Sequence, residues 1–352
     1  MTSKYKVVFL ICSERSGSNL IRVMLDAHSK VLAPPPLNIC KVISNNFHIV
    51  SDRGRDSEAW PLMRDFIGSK IEQFYDEPLR DKVLNNLDDI EDLCVEAIIR
   101  AIYDALIEEF DSPLLFIKEN NVHQYLFFLL AAYPEAKFVF QVRDPRDYLA
   151  SARALRKGRL GNKFGSTHRA LSIWRADQLC GLSLLANFGP SRIFLQRYED
   201  LISSPEEVLS ELCGFLELQF ESSMLEFHNE KQTRKVSSMG NQWENLGRPV
   251  MSNNGGGYRK KLSKRLIRTV EVYLGQLLDR FNYQREFKKD LRPSFFQIFS
   301  PQLTSPLEML YNKRWSIQES LGSSSPAHQF EKAASQISLP YSSPNKETVQ
   351  ED

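Results

Sequence analysis

The sequence lacks a cluster of cysteines, a long apolar run and an excess of charge of either sign. Its five cysteines are far apart, with no CxxC pair and no Cys/His cluster. This distribution argues against a zinc site or a disulfide framework and favours reduced thiols in a cytosolic setting. With a net charge of +1, the protein as a whole has no strong electrostatic attraction for nucleic acid or for a membrane surface. We therefore expect a cytoplasmic protein that binds no nucleic acid and whose basic sites are local.

No apolar run is long enough to span a membrane. The run VVFLIC, residues 7–12, has only six apolar residues, too few for a membrane span or for the apolar core of a signal peptide. It is typical of a first β-strand instead. The remaining composition, 42% hydrophobic and 25% charged over 352 residues, is that of a globular protein with one large domain or two small ones.

Short apolar segments alternate with helical segments along most of the chain. Four segments have the length and composition of strands, and each precedes a helical stretch: Lys6–Cys12, Leu114–Lys118, Lys137–Val142 and Arg192–Tyr198. This alternation predicts an α/β fold in which helices cover both faces of a parallel sheet. Residues 205–217 and 263–282 have the pattern of closing helices.

Residues 30–112 interrupt this alternation. They begin with the rigid segment APPPLN and continue as an acidic, mainly helical stretch. We expect a helical insertion over the C-terminal edge of the sheet, where α/β proteins bind their substrates. We expect one domain over residues 1–290, a C-terminal extension over 291–317 and a disordered tail over 318–352, because the tail is rich in Ser, Pro, Gln and Glu.

The segment SERSGSNLIRVMLDAH, residues 13–28, has the pattern of a phosphate-binding loop and its helix. A helix N-terminus binds anions through unpaired N–H groups, Gly17 allows close approach of the backbone, and Arg15 adds a charged fork. Nucleotide hydrolases carry a lysine and a magnesium-binding hydroxyl in this loop, whereas Ser18 and Asn19 stand there in this chain. The loop predicts a phosphate site that needs no metal; a plain strand-to-helix turn is the alternative.

A second anion site is indicated by FVFQVRDPRDYLAS, residues 138–151. Arg143 follows the predicted strand directly, an Asp-Pro pair is typical of a helix start, and Ser151 lies about two turns into that helix. Arg143 is therefore expected at the C-terminal edge of the sheet. Taken alone, the segment indicates no more than a capped helix with Arg146 and Asp147 as solvated ions.

Two stretches of the chain are locally basic. Nine basic residues stand against two acids between Arg143 and Arg175, and six basic residues with no acid lie between Asn253 and Val270. The second stretch begins with NNGGGY, a flexible loop able to fold over a ligand. Two basic regions in a near-neutral protein indicate a small ligand with negative charge at both ends.

Together these motifs resemble those of the sulfotransferases that use 3′-phosphoadenosine 5′-phosphosulfate (PAPS). SERSGSNLIRVMLDAH is similar to their loop for the 5′-phosphosulfate, especially in the Arg-containing form of tyrosylprotein sulfotransferases and of the sulfotransferase domains of bacterial polyketide synthases. VRDPRDYLAS resembles their 3′-phosphate motif. RYEDLISSPEEVLSELCGFLEL is similar to their downstream strand and helix, and NNGGGYRKKLS to the late loop that closes over the nucleotide. The resemblance covers roughly residues 4–285.

The resemblance implies a P-loop-like three-layer α/β sandwich with a central parallel sheet. It also implies a transferase that moves the sulfuryl group of PAPS to a hydroxyl or amine acceptor by in-line displacement, without a metal. Arg143 and Ser151 are implied as ligands of the 3′-phosphate, and Tyr198 as a neighbour of the adenine. The complete set implied to bind the cosubstrate is Arg15, Ser16, Gly17, Ser18, Asn19, Leu20, Arg143, Ser151, Tyr198, Arg259 and Lys260.

We expect Arg15 and Lys118 to stabilise the negative charge that grows on the leaving group. Lys118 ends the strand LLFIK and matches the lysine of the KTH motif of the cytosolic relatives; a solvated strand-end lysine is the alternative. The general base is not at the family positions. Pro36 and Asn38 stand where the polyketide-type domains have the Glu and His of PPELH, and Asn120 replaces the histidine of KTH.

Four other side chains are candidates for the base. They are His123, Glu119, His48 and Asp26. His123, five residues past Lys118, is assigned the catalytic role here, with a structural histidine as the alternative; an unusually acidic acceptor would need no strong base.

Two rival functions stay open at this point. A kinase-like P-loop protein that uses ATP would need the lysine and the magnesium ligand that the first loop lacks. A non-catalytic member of the fold would bind the nucleotide or a sulfated ligand without turnover. The acceptor class is open between a small molecule, a glycan, a lipid and a peptide, and the sequence does not give the oligomeric state.

Overall fold

Five parallel β-strands form one sheet, in the order β2-β3-β1-β4-β5. The computed structural model describes residues 5–51, 54–155, 167–240, 243–252 and 254–287. The strands are β1 (Lys6–Ile11), β2 (Val31–Leu32), β3 (Leu114–Ile117), β4 (Lys137–Val142) and β5 (Ile193–Arg197). The expected α/β class with a central parallel sheet is confirmed.

Strand β1 lies at the centre of the sheet, between β3 and β4. Phe9 pairs with Ile117 on one side and with Phe138 on the other. The last five residues of β1 are all buried because helices cover both faces, and a strand covered on both faces is a continuous apolar run rather than an alternating one. Since all the strand pairs are parallel, their C-terminal ends lie at one edge of the sheet.

Helices surround the sheet, and none in the described ranges combines the length and the apolar character that crossing a membrane requires. The helices are α1 (Ser18–Asp26), α2 (Cys40–Asn46), α3 (His48–Ser51), α4 (Ala59–Glu72), α5 (Glu77–Asp88), α6 (Val95–Phe110), α7 (Leu126–Ala132), α8 (Pro145–Leu155), α9 (Thr167–Phe188), α10 (Tyr198–Ser203), α11 (Pro205–Leu216), α12 (Lys231–Ser238), α13 (Tyr258–Lys261) and α14 (Lys264–Arg280). Single 3₁₀ turns occur at Gly54–Asp56, Val122–Gln124, Ser222–Met224, Phe227–Asn229 and Glu244–Gly247.

The region 30–112 contributes an edge strand as well as helices α2 to α6. Val31 pairs with Leu114 at the edge of the sheet, so the region is not a purely helical insertion. A strand of two residues is too short to produce a recognisable alternation. Within this region Asp76 precedes α5 as its N-cap, and its carboxylate accepts a hydrogen bond from the backbone N–H of Leu79 at 3.4 Å, the usual role of an acidic N-cap.

The predicted strands agree with the observed ones to within one residue at each end, and the two predicted closing helices correspond to α11 and α14. All five cysteines are unpaired. The domain boundaries stay a prediction. The expected extension over 291–317 and tail over 318–352 lie outside the described residues.

The contact of helix α9 with strand β4 leads to a test of the packing. A Cβ added at Gly181 would lie 2.4 Å from a ring carbon of the buried Phe140. We expect Gly181→Ala to lower the free energy of unfolding by about 1–3 kcal/mol, because the ring and the helix must move apart. Chemical denaturation measures this value.

A matched variant separates crowding from helix propensity. Gly214 lies within α11 and has no atom within 4 Å of the position that a Cβ would take. Gly214→Ala should therefore raise stability by about 0.5–1 kcal/mol, the ordinary gain of alanine over glycine in a helix. Equal effects of the two substitutions would contradict the packing described for α9.

Candidate active site

The loop between β1 and α1 is shaped by a glycine that no other residue can replace without strain. Gly17, the N-cap of α1, has a φ of 82°, in the region that favours glycine. A Cβ at this position would lie 2.2 Å from the Tyr198 ring. The backbone of the loop between β1 and α1 therefore packs directly against the aromatic ring that begins α10.

Four predicted site residues come from the carboxyl ends of four neighbouring strands. Arg15 follows β1, Lys118 follows β3, Arg143 follows β4 and Tyr198 follows β5. Parallel strands place these ends at the same edge, which is where α/β sheets form binding crevices. The structure thus brings together side chains that are up to 183 residues apart, from Arg15 to Tyr198.

Arg143 joins three parts of the site. Its Nη1 donates to the carbonyl of Arg15 at 2.8 Å and its Nη2 donates to the carbonyl of Asn254 at 3.2 Å. Its guanidinium carbon lies 4.5 Å from the centroid of the Tyr198 ring, a cation–π contact. Asn254 in turn donates from Nδ2 to the Tyr198 hydroxyl at 2.8 Å.

Arg15 is the second guanidinium of this edge. Its Nε donates to Ser151 Oγ at 3.2 Å, so the predicted phosphate ligands of the first and second motifs touch each other. Burial lowers the pKa of Arg15, and the positive charge of Arg143 lowers it further. A bound anion would be attracted by both groups and would offset their mutual repulsion.

An open cleft lies beside these residues. It is lined by Arg15, Gly17, Ser18, Asn19, Leu20, Arg143, Tyr198, Asn245, Leu246, Pro249, Val250, Met251 and Asn254. Sequence reasoning missed the members between positions 245 and 251, which carry no charge and belong to no recognisable motif. Two polar atoms of the loop, Ser16 Oγ and Asn19 Oδ1, are buried and have no hydrogen-bond partner among the described residues.

The helix that follows Arg143 is anchored by buried charges, not by solvated ones. Arg146 donates to Asp144 Oδ2 and to Glu271 Oε1, both at 2.7 Å, and is 2% exposed. Asp147 accepts from the backbone N–H groups of Gly256 at 2.6 Å and Tyr258 at 2.7 Å. The interpretation of Arg146 and Asp147 as solvated ions is wrong, because α14 and the glycine loop cover them.

Arg259 and Lys260 lie outside the cleft. Arg259 is largely exposed, and its Nε pairs with Glu286 at 2.7 Å. Lys260 is exposed on the short helix α13. The structure places these two residues next to the glycine loop but not among the residues that line the cleft.

On the other side of the edge, two asparagines occupy the positions where relatives have a base. Lys118 donates from Nζ to Asn120 Oδ1 at 2.6 Å, and Asn120 donates from Nδ2 to Asn38 Oδ1 at 2.6 Å. Asn38 donates from its own Nδ2 to the Pro36 carbonyl at 3.2 Å. A line of amide hydrogen bonds therefore fixes Lys118, which is 5% exposed.

Glu119 braces the segment that precedes α2. Its Oε1 accepts from the Asn38 N–H at 2.8 Å and from the Tyr103 hydroxyl at 3.1 Å. Burial raises the pKa of Glu119 to about 7, against the opposing effect of the Lys118 charge. Its position and its hydrogen bonds make it a support of the APPPLN segment.

His123 has a carboxylate partner. Its Nδ1 lies 2.6 Å from Asp177 Oδ1, and Asp177 Oδ2 accepts from Ser13 Oγ at 2.8 Å. Burial raises the pKa of Asp177, whereas the hydrogen bonds from His123 and Ser13 lower it. His48 is exposed, and Asp26 accepts from the Ala33 N–H at 2.8 Å.

Comparison with known proteins decides the family. A profile described as "Sulfotransferase family" matches residues 8–222, which is more than half of the chain. The chain belongs to the sulfotransferase family.

Relatives of this sulfotransferase are distant in sequence. Protein-tyrosine sulfotransferase A of Caenorhabditis elegans is 22% identical over 235 residues, which is 66% of this chain and 55% of that protein. The chain spans only 33% to 55% of the length of three curated relatives that it matches.

Two solved structures share the fold. The sulfotransferase domain of the curacin biosynthetic pathway has a TM-score of 0.60 and 20% identity, with 81% of this chain and 99% of that chain covered. The sulfotransferase domain of the Synechococcus PCC 7002 olefin synthase has a TM-score of 0.61 and 20% identity, with 81% and 97% covered. At these identities the likeness supports the fold of the sulfotransferase.

The buried Glu119 of this sulfotransferase generates a prediction on pH dependence. An ordinary glutamate titrates near pH 4.5, so between about pH 4.5 and 7 the folded chain keeps a proton that the unfolded chain has released. The free energy of unfolding should therefore fall as pH rises through this window. Glu119→Gln should lack this part of the dependence, and the difference between wild type and variant should change by up to about 3 kcal/mol.

Urea denaturation from pH 4 to pH 8 measures this difference. Glu207→Gln serves as the control, because Glu207 is exposed on α11. Parallel curves for wild type and Glu119→Gln would show that Glu119 does not hold its proton in the folded chain.

Proposed function

We propose that this sulfotransferase moves the sulfuryl group of PAPS to a hydroxyl or amine acceptor by in-line displacement. The observation that carries the proposal is the junction of Arg15 and Arg143. The Arg143 guanidinium donates to the Arg15 backbone carbonyl and stacks on the Tyr198 ring. Its charge also acts on the Arg15 guanidinium, beside the N-terminus of α1 at the carboxyl edge of the sheet. This arrangement suits an adenosine with negatively charged groups at both its 3′ and its 5′ position.

The phosphosulfate side of the cosubstrate is assigned to the start of α1. Ser18, Asn19 and Leu20 line the cleft at the helix N-terminus, where backbone N–H groups and the helix dipole favour an anion. The unpartnered buried oxygens of Ser16 and Asn19 fit a ligand that brings additional polar contacts. These residues have the chemistry to hold a phosphosulfate without a divalent cation.

The 3′-phosphate is assigned to Arg143 and Ser151, with the adenine beside Tyr198. Two nitrogens of Arg143 donate to backbone carbonyls, whereas its Nε is buried with no partner in the described part of the chain. A phosphate oxygen is a stronger hydrogen-bond acceptor than the Asn254 carbonyl oxygen, because it is charged. We expect it to displace Asn254 from Arg143, with the NNGGGY loop, Arg259 and Lys260 moving around the nucleotide.

The reaction follows from where charge develops. The acceptor oxygen or nitrogen attacks sulfur, and the bond from sulfur to the 5′-phosphate oxygen breaks, so that negative charge grows on that oxygen. Arg15 and Lys118 are assigned to stabilise it, since preorganised cations at a developing charge are the largest contribution in such sites. Lys118 is held in place by Asn120 and so needs little reorganisation.

One observation favours a second candidate, a sulfotransferase-like protein that binds the nucleotide without turnover. Asn38 and Asn120 are hydrogen-bonded to each other, and neither amide can take up a proton at neutral pH. A kinase-like use of ATP has no such support, because Ser18 and Asn19 stand where the lysine and the magnesium ligand would be.

Two measurements decide between these functions. Calorimetry should show binding of adenosine 3′,5′-bisphosphate without added magnesium and tighter than that of ATP. Transfer from labelled PAPS to a panel of phenols, aliphatic alcohols, amines and tyrosine peptides should yield at least one sulfated product. Nucleotide binding without any transfer would favour the non-catalytic candidate, and absence of binding would overturn the proposal.

Arg143→Ala should weaken the binding of adenosine 3′,5′-bisphosphate by about 1.5–3 kcal/mol, because a hydrogen bond to a charged group is lost. This corresponds to roughly a 10- to 150-fold increase in Kd, measurable by calorimetry. Arg175→Ala is the control, because it removes the same charge from a residue that is exposed on α9. Wild-type affinity in Arg143→Ala would contradict the assignment of the 3′-phosphate.

Arg15→Ala should lower turnover far more than it lowers nucleotide affinity. The guanidinium is assigned to the charge of the transition state, and loss of one such group costs roughly 10²–10³ in kcat. Transfer rates at saturating PAPS, together with calorimetric affinities, separate the two effects. Unchanged turnover would remove Arg15 from the leaving-group role.

A further inference from the structure

The general base of this chain cannot be at either position where relatives have one. Asn120 and Asn38 fill both positions and bond to each other at 2.6 Å. Two other candidates are engaged: Glu119 supports the Asn38 backbone and Tyr103, and Asp26 supports the Ala33 backbone and lies 3.7 Å from Arg22. A base for a weakly acidic acceptor must therefore come from a different side chain at the carboxyl edge.

We propose that His123 takes the proton of the acceptor and that Asp177 is its positioning residue, which sets the tautomer of the imidazole and ties it to the phosphate loop through Ser13. This inference rests on the proposed sulfuryl transfer and deepens it, because it implies an acceptor that needs a base, such as an alcohol.

The geometry of the pair fixes the roles of the two imidazole nitrogens. A carboxylate only accepts hydrogen bonds, so Nδ1 of His123 donates to Asp177 Oδ1 at 2.6 Å. The proton on Nδ1 leaves the lone pair on Nε2. No described residue forms a hydrogen bond with Nε2, and the His123 side chain is 19% exposed whereas that of Asp177 is 3% exposed. The histidine is thus the exposed member of the pair, and the carboxylate is the buried one.

A buried network connects this pair to the phosphate loop. Gln178 Nε2 donates to Ser13 Oγ at 3.0 Å, and Ser13 Oγ donates to Asp177 Oδ2 at 2.8 Å. Ser13 is two residues before Arg15. The side chain proposed to receive the proton and the side chain proposed to stabilise the leaving group are therefore held by one short loop.

The chain also places His123 on the same side as Lys118. Lys118 follows β3 directly, and His123 lies in the single 3₁₀ turn Val122–Gln124 that comes next. Helix α9, which carries Asp177, packs against both β1 and this turn. Strand β3, the 3₁₀ turn after it and helix α9 together therefore position the pair of His123 and Asp177.

The proton balance of the step is complete with these groups. The acceptor O–H gives its proton to Nε2 as its oxygen forms the bond to sulfur. The bond from sulfur to the 5′-phosphate oxygen breaks, and its electron pair stays with that oxygen. Imidazolium is formed next to the Asp177 carboxylate, which stabilises the positive charge, and it returns the proton to solvent after product release.

Acceptors of different acidity test this assignment. Transfer rates from labelled PAPS are measured for wild type, His123→Gln and Asp177→Asn with an aliphatic alcohol and with 4-nitrophenol, which is far more acidic. With the alcohol we expect kcat to fall roughly 10²- to 10⁴-fold in His123→Gln, the usual contribution of a general base. With 4-nitrophenol the loss should be much smaller, because its oxygen needs little help to lose a proton.

Asp177→Asn should follow the same pattern of loss. An asparagine at this position can donate to Nδ1, so that the proton sits on Nε2 and the base is blocked even though the volume is unchanged. In His123→Ala, added imidazole should restore part of the transfer to the alcohol. His228→Ala is the control, because His228 has a similar exposure of 18% and lies 4.0 Å from the carboxylate of Glu226, but is not part of the network.

Calorimetry with adenosine 3′,5′-bisphosphate and thermal melting separate this inference from the proposed function and from misfolding. Wild-type nucleotide affinity and melting temperature in the variants, with losses that depend on acceptor acidity, would support the role of the pair. Equal losses for both acceptors, or full activity in His123→Gln, would overturn it and leave the proposed function intact. A wild-type chain that neither binds the nucleotide nor transfers sulfate would overturn both.

Discussion

The hydrogen bond from Arg143 to the carbonyl of Arg15 is the interaction on which the cleft depends. It joins the end of β4 to the loop after β1, so that two neighbouring strands share one charged junction. It holds the two strand ends together although the two guanidinium charges repel each other. The same arginine stacks on Tyr198 and reaches the Asn254 carbonyl. The Arg143 side chain therefore links the loop after β1, the Tyr198 ring after β5 and the segment at Asn254.

A second constraint lies on the acceptor side. Asn120 holds Lys118 by a neutral hydrogen bond and is itself held by Asn38. Neither amide carries a charge that would attract or repel the Lys118 ammonium group. Because an amide does not take up a proton at neutral pH, these two positions provide no general base. In the proposed mechanism the pair of His123 and Asp177 supplies one from a different part of the chain. The carboxyl edge allows this, because several strand ends and the loops after them meet there.

Much of this organisation could be predicted from local sequence. The strand ends, the loop SERSGS and the segment VRDPRD are short patterns in which neighbours in sequence act together. Four of the five observed strands fall where their composition predicts them, and the two-residue β2 does not. What could not be predicted depends on distant partners. Asn38 and Asn120 are 82 residues apart, and His123 and Asp177 are 54 apart.

Burial was the other quantity that local patterns missed. Arg146 is a solvated ion by its pattern but is covered by α14, because Glu271 and Asp144 satisfy its charge. Asp177 offered a usable signal: it lies in α9 among buried residues that recur at helical spacing, Leu171, Trp174 and Gly181. A carboxylate in such a stripe requires a partner.

The close packing of Gly17 against Tyr198 has a consequence for how this cleft can change. The Tyr198 ring would lie 2.2 Å from a Cβ on Gly17, so the start of α10 and the N-terminus of α1 are interlocked. A bulkier or smaller ring at position 198 would shift the N-terminus of α1 as well. Under the proposed function, selectivity for the nucleobase and binding of the phosphosulfate would both depend on this one contact.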